Sequence, residues 1–184
     1  MRSEEFNPLR MRLSEDVTYF NIRLGDETNK NIIRRSYVRA VFAFIEGYLY
    51  AFKQISLRIS EESEGIKLSP EEIIALKEVE VSIDDSGNIK QRSKYIPARK
   101  SLVFSIASIA KQHEADFILD KGGQGSEAYQ VALKIRDRLM HPKSHRELEL
   151  TDIELESVQV AYNWFTNELS RLEVKIGEAA TQNT

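Results

Sequence analysis

Residues 28–59, TNKNIIRRSYVRAVFAFIEGYLYAFKQISLRI, decide the architecture of this chain. Tyr37, Val38, Val41, Phe42, Ile45, Tyr48, Leu49, Phe52 and Ile55 recur at intervals of three and four. That spacing lays one wide apolar stripe along a helix and does not fit a strand. Arg34, Arg35 and Arg39 crowd the beginning of the segment. A helix of this length is expected to be the spine of a helical bundle.

Upstream, VTYFNIRL at 17–24 is rich in β-branched and aromatic residues. It reads either as a short strand or as part of an N-terminal arm, residues 1–27, packed on the body. Downstream, Ser69-Pro70-Glu71-Glu72 starts a short helix: Ser69 caps, Pro70 suits the first helical position, and Glu72 completes a capping box. VEVSI, then Asp84-Asp85-Ser86-Gly87-Asn88, then Ile89-Lys90-Gln91 reads as a β-hairpin over about 79–92, inserted between helices. Pro97 opens a helix to about Ala115, with Leu102, Phe104, Ile106, Ile109 and Ala110 toward the core. Gly122-Gly123-Gln124-Gly125 reads as a flexible loop. A phosphate cradle there lacks the lysine and spacing of a P-loop. Ser126 is expected to cap a helix over 127–140, which His141-Pro142 ends because a residue before proline avoids helical geometry. After a polar loop, 143–150, Thr151-Asp152-Ile153-Glu154 forms a second capping box. It starts a final helix whose buried stripe is Val158, Ala161, Trp164, Phe165, Leu169 and Leu172. The sum is an all-α antiparallel bundle of four to five helices over 28–176, one domain, with a frayed tail at 177–184.

Composition narrows the chemistry. The chain has 184 residues, 41% apolar and 30% charged, as in a globular domain. It has no cysteine, which excludes thiolate nucleophiles, disulfides and cysteine zinc sites. The N-terminus carries no signal-like apolar core and no window is apolar enough to span a bilayer, so a cytoplasmic protein with no membrane contact is expected. A net charge of −3 opposes wholesale coating of nucleic acid but allows a local basic site. His141 and His145 are separated by Pro142, and only His113 remains, so no metal is expected. Serine catalysis has no nucleophile elbow behind it, and most acids lie at helical spacing from Lys or Arg, as on a solvated face.

One residue is out of place. At about 100° per residue, Tyr129, Ala132, Leu133, Ile135, Leu139 and Met140 gather on one side of the 127–140 helix, and Arg136 falls among them. A guanidinium in an apolar stripe is either a structural group bonded to a carboxylate such as Glu46, or a functional group facing a pocket or a partner. Its planar fork suits phosphate. His141 stands where the helix stops, and an imidazole can give and take protons near neutral pH. On a continuing helix, positions 136 and 141 point about 140° apart. They converge only if the backbone leaves the helix at 141, or if two chains meet.

The segment Ile135-Arg136-Asp137-Arg138-Leu139-Met140-His141-Pro142 resembles the signature of the HEPN superfamily: an arginine, a polar residue, then a histidine after four to six intervening positions. Arg136, Asp137 and His141 match it. Arg34-Arg35-Ser36-Tyr37 and Phe44-Ile45-Glu46-Gly47 on the long first helix are similar to first helices of that superfamily, as is a final helix following the signature. The resemblance implies an all-α homodimer with two signatures facing one cleft, and a metal-independent endoribonuclease without a cofactor. Such proteins are often toxins of toxin–antitoxin pairs or defence effectors. Inactive members bind RNA, nucleotide or a protein partner. It implies catalytic roles for Arg136, Asp137 and His141, RNA contacts from Arg138 and Lys143, and Glu46 as an orienting acid. The hairpin is not part of the superfamily's core pattern.

Overall fold

A computed structural model describes residues 3–62 and 66–182. The described residues are 71% helical and form an all-α helical bundle of six α-helices with one two-stranded antiparallel sheet. The helices are α1 (Ser3–Asn21), α2 (Lys30–Glu62), α3 (Pro70–Leu76), α4 (Ala98–Gln112), α5 (Gly123–Met140) and α6 (Asp152–Gln182), and the strands β1 (Val79–Ile83) and β2 (Ile89–Ser93) lie between α3 and α4.

The described residues fall into two compact units. One comprises 49–118 and 175–182, the other 3–48 and 119–174. α2 and α6 contribute residues to both. The second unit includes the N-terminal segment, which forms helix α1 and no strand. Val17 is 2% exposed, and Phe6 meets Tyr48 edge-on with ring centroids 5.2 Å apart. The β-branched and aromatic run at 17–24 is thus overridden by burial against α2, as tertiary packing routinely overrides weak propensity.

Within the second unit the core is aromatic. Phe165 of α6 is fully buried and stands edge-to-face to Phe44 and Tyr48 of α2, with centroids 6.2 and 6.1 Å away. Of the residues expected on the α2 stripe, Tyr37, Val38, Val41, Phe42, Ile45 and Tyr48 are buried here. Glu168 is 4% exposed. It accepts the Asp120 N–H at 3.0 Å and pairs with Arg171 at 2.5 Å. Asp120 in turn accepts the Gly122 N–H at 3.0 Å. This chain of bonds sets the entry to α5, so the helix begins at Gly123, and Ser126, expected as its cap, lies inside it and is buried. Gly123, Gln124 and Gly125 are likewise helical and not a loop.

Gly125 is required by a close approach. A Cβ there would lie 2.5 Å from Cδ1 and Cγ of Trp164. Valine adds little helix propensity over glycine and brings further methyl groups into the indole. Gly125→Val is therefore expected to lower stability by about 1–3 kcal/mol, the usual cost of overpacking. A shift of the urea midpoint at unchanged slope measures it, and an unchanged midpoint would show that the indole has room to move.

In the first unit, Leu57, Leu68 and Leu76 form a buried cluster on which Ile73 and Phe104 pack. The capping box of α3 is present, with Glu72 N–H donating to Ser69 Oγ at 3.2 Å and Ser69 N–H to Glu72 Oε2 at 2.8 Å. The hairpin pairs Val79 with Ser93 and Ile83 with Ile89. Its turn is held by Asp84, which accepts the N–H groups of Ser86 and Asn88 at 2.9 Å each, while Gly87 supplies the positive φ of 81°. The tail expected to fray at 177–184 is helical through Gln182, where α6 continues past Gly177, helped by the Lys175–Glu178 pair at 2.7 Å. The last two residues of that expected tail lie outside the described residues. No helix among the described residues is long and apolar enough to cross a membrane.

Candidate functional site

The candidate site is assembled in the second unit from the C-terminal half of α5, the middle of α2 and the turn that follows α5. Tyr129, Ala132, Ile135 and Leu139 seat α5 in the core. That seating carries Arg136, on the same side, against α2. Its guanidinium is half-buried, with 28% of the side chain exposed. It pairs with Glu46 of α2 through Nη2 and with Asp137 through Nη1 at 2.9 Å, and lies 6.0 Å from the centroid of the Phe42 ring. Burial works against the charge, but the bonds to Asp137 and Glu46 more than offset it and hold the group above its ordinary pKa.

The helix ends at Met140, which is 51% exposed and not in the core. At His141 the backbone turns away, φ −130° and ψ 55°, while its N–H still donates to the Asp137 carbonyl at 3.1 Å. This is the departure that Pro142 demands. The His141 ring is exposed and has no hydrogen-bond partner among the described residues. The single chain therefore joins Arg136, Asp137 and Glu46, and leaves His141 next to them in sequence but unbonded to the guanidinium.

The two accessory residues separate. Arg138 is engaged internally: it donates to the Glu149 carbonyl at 3.2 Å and pairs with Glu154 at 3.0 Å. Glu154 simultaneously completes the Thr151 capping box of α6, so Arg138 braces the start of that helix. Lys143 donates its N–H to Glu147 at 2.8 Å. Its ammonium is exposed and unpartnered among the described residues.

Two further arginines shape the site. Arg34 is 8% exposed. It donates to the Leu150 carbonyl at 3.0 Å and pairs with Asp152 at the start of α6. Arg35 donates to the Leu148 carbonyl at 3.4 Å. Together they fasten the 3-10 turn His145–Leu148 and the residues after it to α2. Positions 35, 39, 42 and 46 of α2 share an arc of about 60°. Arg39 thus lies on one helix edge between the contact of Arg35 with the turn and the contact of Phe42 and Glu46 with Arg136. It is exposed and unpartnered among the described residues. Its signal in the sequence is the four-residue step from Arg35, which stays ambiguous until the neighbour of that edge is known.

The hydrogen bond from Arg34, reinforced by its charge, holds the Asp152 carboxyl below its ordinary value of 3.8. The folded carboxyl binds its proton less tightly than the unfolded one, so the pair stabilises the fold above the ordinary value. That contribution is lost as pH falls through the depressed value. Asp152→Asn is expected to lower stability at neutral pH and to flatten the loss of stability below pH 3.8. Urea titrations at several pH values check this, and parallel acid limbs in variant and wild type would refute it.

Among the described residues no group of three or more His, Cys, Asp or Glu side chains gathers to hold a metal ion. No family model, no curated protein and no solved structure matches the chain.

Proposed function

We propose that the protein is a metal-independent endoribonuclease of the HEPN type, acting as a homodimer whose two signatures share one cleft. The observation that carries this reading is Arg136. It is a half-buried guanidinium gripped by two carboxylates yet open on one side, on the same helix that ends in an exposed, uncommitted His141. RNA supplies its own nucleophile, the 2'-hydroxyl. His141 removes that proton as the oxygen attacks the adjacent phosphorus, and a protonated imidazole, its own or that of the second copy, gives a proton to the departing 5' oxygen. The products are a 2',3'-cyclic phosphate and a free 5'-hydroxyl. Arg136 stabilises charge on the phosphoryl oxygens, and Asp137 and Glu46 fix its fork. Arg39 and Lys143, both exposed, hold the RNA backbone, while Arg138 acts through the brace at α6. A toxin or defence role, with an antitoxin as protein partner, follows from the same reading, as does a cytoplasmic setting.

A second reading is an RNA-binding module of the same type that does not cut. It is favoured by the internal neutralisation of Arg136 and the missing bond to His141. The deciding experiment incubates the purified protein in EDTA with a single-stranded RNA and its all-deoxy counterpart. Cleavage of RNA alone, leaving cyclic phosphate ends, supports the nuclease. Retained binding without cleavage supports the module, and neither binding nor cleavage removes both.

A further inference from the structure

A cavity of about 430 Å³ lies in the second unit, where the C-terminal part of α1 meets α2 and α6. This is within the range of small-molecule sites. It is on the opposite side of α2 from the Arg136 cluster, since Tyr37 and Arg39 project about 160° apart on the helix. Its polar lining is Tyr37, Tyr162, Asn21, Gln159, Asn163 and Glu156. Thr18, Val17 and Val160 complete its wall.

The floor carries the argument. Tyr37 is 2% exposed, lines the cavity, and its hydroxyl has no hydrogen-bond partner among the described residues. Tyr162, half-buried, also leaves its hydroxyl without one. Neither hydroxyl is sealed from solvent; each opens to the cavity, with its donor and acceptor free for a polar occupant. Burial pushes the Tyr37 hydroxyl well above its ordinary pKa, so it meets that occupant as a neutral donor and acceptor.

The lining also says which occupant. Three side-chain amides each offer paired donor and acceptor, the geometry that recognises the edge of a nucleobase. No lysine or arginine lines the cavity. Glu156 is exposed at its rim, and α1 ends there at Asn21, turning the negative end of its dipole toward the opening. Both repel a phosphate. We infer that this cavity binds a purine nucleoside and discriminates against the corresponding nucleotide, a site separate from the one proposed to handle RNA.

Isothermal titration of the full chain with adenosine, guanosine and their 5'-monophosphates tests this. At least one nucleoside should bind with a saturable isotherm. Its monophosphate should bind at least about tenfold more weakly, a difference of about 1.4 kcal/mol. Tyr37→Phe deletes one hydroxyl from an unchanged ring and should weaken nucleoside binding about threefold to tenfold, the worth of one net hydrogen bond. Gln159→Ala, at a partly exposed helix position, should weaken it similarly, and Glu156→Lys should narrow the gap between nucleoside and nucleotide. Circular dichroism confirms that each variant is folded. No saturable binding of either nucleoside at millimolar concentration would overturn the inference. So would equal affinity in wild type, Tyr37→Phe and Gln159→Ala, or monophosphates binding as tightly as nucleosides. The titration contains no RNA, so its failure leaves the ribonuclease reading standing, and the failure of that reading leaves the cavity.

Discussion

His141→Ala is expected to reduce RNA cleavage by about 10²–10⁴-fold, the usual contribution of a positioned general acid–base. Arg136→Ala should reduce it by about 10²–10³-fold, as loss of one group stabilising the transition state does. The two variants should differ in what else they change. His141 is exposed and unbonded, so its removal should leave the melting temperature and RNA affinity near wild type. Arg136 is bonded to Glu46 and Asp137 and lies near the Phe42 ring. Its removal leaves Glu46 and Asp137 without their shared cation, and RNA affinity should fall along with cleavage. Arg136→Lys keeps the charge but not the planar fork, and is expected to recover little activity. Gel assays of cleavage, with filter binding and thermal melts on the same preparations, separate these effects. Full activity in folded His141→Ala would end the assignment of that residue. A fall in cleavage matched by an equal fall in folded fraction would make Arg136 a structural residue only.

Phe165→Ala should have the largest effect on stability, about 3–5 kcal/mol, the typical cost of emptying a buried phenyl site. Phe165 has no exposed surface and sits edge-on to Phe44 and Tyr48. Both neighbours are held by α2, so the space left behind cannot collapse easily. Natural domains are stable by only about 5–15 kcal/mol, so this one change is expected to remove a large part of the total. Val174→Ala on the same helix, at a side chain 60% exposed, should change stability by no more than about 0.5 kcal/mol. Chemical denaturation of both variants makes the comparison. A Phe165→Ala protein as stable as wild type would mean that the aromatic cluster rearranges to fill the site.

The apolar face of α2, the capping boxes at Ser69 and Thr151, the hairpin turn at Gly87 and the end of α5 before Pro142 were all legible in the sequence. Each depends on neighbours within one or two turns of the chain, where spacing, propensity and backbone hydrogen bonding are local matters. Arg136 was visible for the same reason, as a charge at an apolar phase of a helix. Its partner Glu46 is ninety positions away, and only packing of α5 on α2 could choose it from so many carboxylates.

The remainder needed the fold. Burial of Val17 made 3–21 a helix despite its β-branched and aromatic end, because apolar contact outweighs a weak local preference. A hydrogen-bond relay from Glu168 moved the start of α5 ahead of Ser126. The approach of Trp164 explained Gly125, which in sequence looked like loop material. Arg34 and Arg138 proved to be fasteners, since their partners come from the turn and helix that follow α5. By itself the sequence determined that α2 to α6 exist and which cation stands out of phase. Tertiary structure alone decided which charges are paired and which stay open to a ligand, because pairing depends on contacts between elements far apart in the chain.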